Sequence, residues 1–216
     1  NEHLSTMSIN FALAAMNKEL GDIPYNEELA AENVVNLLQD LGFSKFYVHY
    51  PEPEFYGIDA DIISTIGYII GSKTINIAGK KVTLIAIAVR GGGYGVEWAS
   101  NVILGDGVGE AKGFKDAADQ VEKGVYEYIS TYNIDTSNSK FWATGFSRAA
   151  ATANLVSKRL TDKYGTEKVY SYCFETPKGG VKNLVEKGSD YSNIHNIVST
   201  SDVVPMLGTT EMGFIR

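Results

Sequence analysis

Between Leu4 and Leu20 apolar residues recur at helical spacing (Ile9, Leu13, Met16, Leu20), and Gly21 with Pro24 just beyond supplies a stop, so the pattern predicts a first helix over 4–20. A second helix is predicted from about Asn26 to Leu41, with Leu29, Val34, Leu37, Leu38 and Leu41 on one face and Gly42 ending it. The two form a helical lead-in over 1–42. The period then changes. Phe46-Tyr47-Val48-His49-Tyr50 is rich in strand formers and stops at Pro51-Glu52-Pro53. The stretch from Asp59 to about Tyr68 is ambiguous. After it, Ser72 to Ala78 and Val82 to Val89 read as the two arms of a hairpin around Gly79-Lys80, and the second arm has almost no polar interruption, as a strand covered on both faces requires.

That arm runs into Arg90-Gly91-Gly92-Gly93-Tyr94-Gly95 and a glycine-dotted loop through Gly109, before a helix predicted from Gly113 to Tyr132. A short strand, Phe141 to Thr144, stops at Gly145. From Ser147 to Tyr164 the alanine-rich composition is helical, and Val169 to Phe174 and Ile194 to Ser199 supply two more strands. Strands alternating with helices predict a three-layer α/β architecture: a mainly parallel sheet covered on both faces.

Composition bounds this picture without altering it. The 216 residues, 44% hydrophobic and 21% charged, suffice for one sizeable core, so a single domain over 1–216 is expected. A net charge of -7 with scattered Lys and Arg argues against a nucleic-acid partner. The longest apolar stretch, Val82 to Val89, is far shorter than the roughly 20 residues of a membrane-spanning helix, and a soluble protein is expected. The single cysteine, Cys173, excludes an internal disulfide, and its strand-like setting suggests inert packing. The chain begins Asn1-Glu2-His3 with neither initiator Met nor leader, which leans toward a processed, secreted protein.

Candidate chemistry centres on Gly145-Phe146-Ser147-Arg148-Ala149. A hydroxyl attacks a carbonyl only when a base takes its proton and the developing oxyanion is stabilised. A sharp strand-to-helix turn presents such a serine, and it needs small residues two positions before and after, because strand and helix approach closely there. Gly145 and Ala149 meet that need between a strand and a helix. The simpler alternative makes Ser147 only the N-cap of its helix. Upstream, Gly91 to Gly93 end the buried strand, where bare backbone N–H groups could reach a ligand oxygen; the amide of Arg148 would be a second donor. The alternative there is a flexible loop. Asp202 follows the last strand and precedes Pro205, where a carboxylate can orient a histidine or simply form a turn.

Together these elements resemble the class 3 lipase family of α/β-hydrolases, and more closely a bacterial lipase-like branch of it. The resemblance is carried by Leu84 to Gly92, Glu97-Trp98-Ala99-Ser100-Asn101, Gly113-Phe114, Gly145 to Ala150, Phe174-Glu175-Thr176-Pro177-Lys178-Gly179 and Asp202-Val203-Val204-Pro205, in that order from about Asp59 onward. It implies an α/β-hydrolase fold, Ser147 as nucleophile, Asp202 as triad acid, and an oxyanion hole from the backbone of Gly92 and Arg148. Family members often carry Ser or Thr where Gly92 stands, and a His before the Gly-Phe that opens the next helix, where this chain has Ala111-Lys112.

A larger departure concerns the base. In this fold the triad runs Ser, acid, His, and no histidine follows Asp202. His3 lies in the lead-in, His49 precedes the proline-rich loop, and His195 sits on the strand before Asp202. Either the base belongs to a segment beyond Arg216, the favoured explanation, or it has been lost. The expected function is therefore a serine hydrolase of carboxylic esters, acylglycerols among the candidates, acting through an acyl-enzyme, with a catalytically silent binding module as the alternative. The expected partner is a lipid or small-molecule ester. No cofactor or metal is implied: the glycine run fails as a dinucleotide fingerprint because position 96 is Val96, and the histidines lack ligand spacing.

Overall fold

The computed structural model of the chain describes residues 2–16, 27–50, 66–91, 109–181, 188–202 and 214–215. Helices α1 (Glu2–Met16) and α2 (Glu27–Asp40) precede strand β1 (Ser44–His49) and the hairpin of β2 (Tyr68–Ile77) and β3 (Lys80–Val89). Then follow α3 (Lys112–Thr131), β4 (Ser139–Phe146), α4 (Arg148–Tyr164), β5 (Val169–Phe174), β6 (Gly180–Val181), β7 (Ile194–Ile197) and β8 (Phe214–Ile215). Six strands form one sheet in the order β1-β2-β3-β4-β5-β7, and β6 pairs with β8 apart from it. The β3/β4, β4/β5 and β5/β7 pairs are parallel; the β1/β2 and β2/β3 pairs are antiparallel.

Alternation along β3 and β4 divides the core into two layers. Ile85, Ile87, Val89, Phe141 and Ala143 pack with buried residues of α3 and α4, including Phe114, Val121, Val125, Val156 and Leu160. Ala86, Ala88 and Trp142 face the other way, against Phe11 and Ala15 of α1 and Val34 and Leu38 of α2. Small residues on both surfaces let α1 lie close to the sheet. Its buried stripe is Ser8, Phe11, Ala12 and Ala15, while Leu13 stays 54% exposed. The Ile9–Leu13 line of the periodicity is therefore not the face α1 buries. Trp142 stacks edge-on to Phe11 at 5.0 Å and donates Nε1–H to Ser8 Oγ at 2.8 Å, tying α1 to β4.

The observed elements sharpen several boundaries. The ambiguous 59–68 stretch meets the sheet at Tyr68: β2 starts four residues earlier than expected because Tyr68 to Gly71 pair with Ala86 to Val89. The hairpin turn sits at Ala78-Gly79 rather than Gly79-Lys80, with φ of +50° and +82°, as a two-residue turn with both central residues left-handed demands. Strand β7 ends at Ile197, two residues short of the expected Ser199. The last part of the first predicted helix, 17–20, lies outside the described residues. No described helix is long and apolar enough to cross a membrane.

Candidate active site

The parallel strands all end at one edge of the sheet. Ala88, Thr144, Tyr172 and His195 lie side by side in register, and one to two residues further on Gly145, Cys173 and Asn196, then Phe146, Phe174 and Ile197, complete that edge. In open α/β sheets ligands bind just outside the carboxyl ends of the strands. Ser147 follows β4 there, and Asp202 lies five positions beyond the end of β7.

Ser147 occupies φ 58°, ψ -126° between β4 and α4, and its side chain makes no capping bond to the helix. An N-cap serine has extended backbone and accepts an amide with its oxygen, so the capping alternative does not describe this residue. A non-glycine residue with this backbone costs about 1–3 kcal/mol, held in place by its surroundings. Those surroundings are tight. A Cβ on Gly145 would stand 2.4 Å from the Ala149 carbonyl oxygen, and one on Gly91 would stand 2.0 Å from the Phe146 carbonyl oxygen and 3.4 Å from Ala149 Cβ. The small residues of the motif are thus required by contact. Ser147 N–H donates to the Phe174 carbonyl at 2.9 Å, and the Ser147 carbonyl accepts from Ala150 N–H at 2.8 Å, starting α4.

Arg148 is the first residue of the 17-residue helix α4. Its amide sits at the positive end of the helix dipole, which favours a developing anion. The other expected donor, Gly92, lies outside the described residues. Its neighbour Gly91 packs directly against the Phe146–Ala149 turn, with no room for a side chain.

Asp202 is half-buried, and its amide donates to the Ser199 carbonyl at 3.3 Å, closing a turn after β7. Glu175, to which residue patterns alone assigned no role, reaches this turn: Ser199 N–H lies 2.9 and 3.0 Å from its two carboxylate oxygens. Its place directly after β5, on the site edge, was the signal that could have singled it out.

The three histidines are placed apart from Ser147. His3 is exposed near the start of α1. His49 ends β1, three strands from β4, a separation of roughly 14 Å at ordinary strand spacing. It is half-buried, and burial, with the nearby Arg90 charge, pulls its pKa below the ordinary value. His195 is two strands from β4 and stacks on Tyr172 with ring centroids 4.8 Å apart. Tyr172 packs with Ala12, so the His195 ring lies on the α1 side of the sheet, opposite α4. Cys173 is buried in β5 and its thiol is pushed up to about 12 by desolvation, which suits inert packing.

Across nearly its whole length the chain has the fold of known lipases. It is similar to the lipase from Rhizopus microsporus var. chinensis (TM-score 0.61, 16% identity, 99% of this chain and 70% of that one). It is also similar to the triacylglyceride lipase of Rhizomucor miehei (TM-score 0.61, 16% identity, 98% and 74%) and to lipase II from Rhizopus niveus (0.62, 14%, 98% and 76%). The chain spans 65% of the length of the Rhizomucor miehei lipase in its propeptide complex. A sequence comparison with curated proteins gave no match. The α/β-hydrolase architecture is established by these likenesses and by the mainly parallel sheet flanked by helices. Residues 95–212, more than half of the sequence, match the family described as Lipase (class 3), and the chain therefore belongs to the class 3 lipase family.

Proposed function

We propose that the protein hydrolyses carboxylic esters, with acylglycerols as the substrate class, through an acyl-enzyme on Ser147. The observation that carries this reading is the backbone of Ser147, held at φ 58° at the carboxyl edge of the sheet with its hydroxyl not used as a cap. Ser147 Oγ attacks the ester carbonyl carbon while a base takes its proton. The carbonyl oxygen becomes an oxyanion against the amides of Arg148 and Gly92; collapse expels the alcohol, which receives the proton, and water then releases the acid by the same steps. Asp202 orients the base and stabilises its cation.

None of His3, His49 and His195 is placed to serve as that base, so the reading assigns it to a histidine outside these 216 residues. The triad order Ser, acid, His supports a position downstream of Asp202. The test is a fluorophosphonate probe applied to the natural protein at its full length. Labelling of Ser147 that is abolished in Ser147→Ala is expected. Absence of labelling in that protein would favour a silent α/β-hydrolase-like binding module.

A further inference from the structure

Glu175 combines two features that ordinary packing does not require. It adopts φ +49°, a left-handed backbone that favours glycine, immediately after β5. It also spends its carboxylate on a single backbone amide, that of Ser199, at 2.9 and 3.0 Å. Its own amide donates to the Ile197 carbonyl at 2.8 Å, carrying the β5/β7 ladder to the very end of β7.

The bonds on either side connect the two halves of the site. The carbonyl of Phe174 accepts from Ser147 N–H at 2.9 Å. On the other side, the Ser199 carbonyl accepts from Asp202 N–H at 3.3 Å, and Ser199 Oγ accepts from Ser201 N–H at 3.2 Å. The peptide 174–175 is therefore bonded to the nucleophile turn through one residue and to the Asp202 turn through the next. Residues 199–202 carry no regular strand pairing, and this carboxylate is one tie between their turn and the end of β5.

We propose that Glu175 is a positioning residue that holds the Ser199–Asp202 turn in place relative to Ser147. Its catalytic consequence rests on the function proposed above; its structural content does not. Glu175 does not touch the reacting atoms in this reading. It acts by charge-assisted acceptance of the Ser199 amide, and the left-handed backbone turns the chain so that the carboxylate meets that amide.

The test compares Glu175→Gly, which adopts φ +49° without strain but has no acceptor, with Glu175→Gln, which keeps one acceptor oxygen. Amide hydrogen exchange is read by NMR at Ser199, Ser201 and Asp202, beside thermal unfolding and steady-state ester hydrolysis. In Glu175→Gly those three amides are expected to exchange about 10-fold faster while the melting temperature holds or rises, because a strained backbone position is relieved. The value of kcat falls by about 10-fold with KM unchanged, as a displaced acid loses transition-state stabilisation alone. Glu175→Gln restores most of both. Unchanged exchange at these amides in Glu175→Gly overturns the proposal. Equal loss of turnover in Glu175→Gln and Glu175→Gly with native exchange also overturns it, because the carboxylate charge itself would then be the acid. If the unaltered protein hydrolyses no ester, the function reading fails while the exchange comparison still decides the role of Glu175.

Discussion

Substituting Gly91 by alanine tests whether the glycine after strand β3 sets the geometry of the turn that carries Ser147. The added methyl would lie 2.0 Å from the Phe146 carbonyl oxygen and 3.0 Å from its carbon. Contacts below 3.0 Å are not sustained, so backbone at Gly91 or Phe146 must move by about 1 Å, and Phe146 is directly bonded to Ser147. Because the obstacle is backbone rather than the end of a flexible side chain, the displacement cannot be absorbed by a rotamer change. Overpacking of this kind costs about 1–3 kcal/mol. In a chain of this size that lowers Tm by roughly 2–12 °C. Misplacing an attacking group by about 1 Å costs on the order of 100-fold in rate. Gly179→Ala is the matched control, since its Cβ would meet only Ala151 Cβ, at 3.8 Å. Differential scanning fluorimetry and the rate of fluorophosphonate labelling at Ser147 measure the two effects. Should Gly91→Ala match Gly179→Ala in both, the claim that this contact fixes the turn is wrong.

Trp142→Phe keeps most ring packing against Phe11 and Phe43 but removes the donor to buried Ser8, so it should cost about 1–2 kcal/mol in urea unfolding and loosen α1 toward limited proteolysis. Arg159 bridges α4 to Glu110 at 2.5 Å, Asp119 at 2.7 Å and Glu122 at 3.0 Å. Arg159→Ala leaves these carboxylates facing one another and is expected to cost about 2–4 kcal/mol, with Arg159→Lys recovering only part because one ammonium cannot reproduce the planar fork. His49 has a folded pKa below its ordinary value, for reasons of burial first and then of Arg90. The unfolded chain therefore takes up the proton first, and stability falls as pH drops from about 6.5 toward the lower folded value. Denaturation curves across that window should slope less in His49→Gln; an unchanged slope would assign the pH effect to other groups.

Residue patterning located most of this molecule because its signals are local. The near-continuous apolar run of β3, the alanine-rich α4 and the small residues at Gly145 and Ala149 each reflect constraints acting within a few positions, and each element lies where the pattern placed it. The order of the motifs also carried the family. Contacts between distant segments left no comparable trace. Tyr68 to Gly71 lie outside the expected arm, Ser72 to Ala78, because their strand state comes from pairing with Ala86 to Val89. The buried face of α1 was hidden because small and polar residues carry it: Ala15 packs with Ala86 and Ala88, Ala12 with Tyr172 and Phe174, and Ser8 accepts from Trp142, so the close fit of shapes outweighs hydrophobicity.

The same division runs through the site. Sequence was enough to put Ser147 on a strand-to-helix turn and Asp202 past a strand, since chain order and turn chemistry specify both. It could not decide whether Ser147 caps its helix, because that turns on a backbone dihedral and an absent capping bond rather than on residue type. Nor could it assign Glu175, whose bond to Ser199 crosses 24 residues and exists only once β7 lies beside β5. Local chemistry is written in neighbouring residues, whereas the distance between two turns is set by the sheet that brings them together.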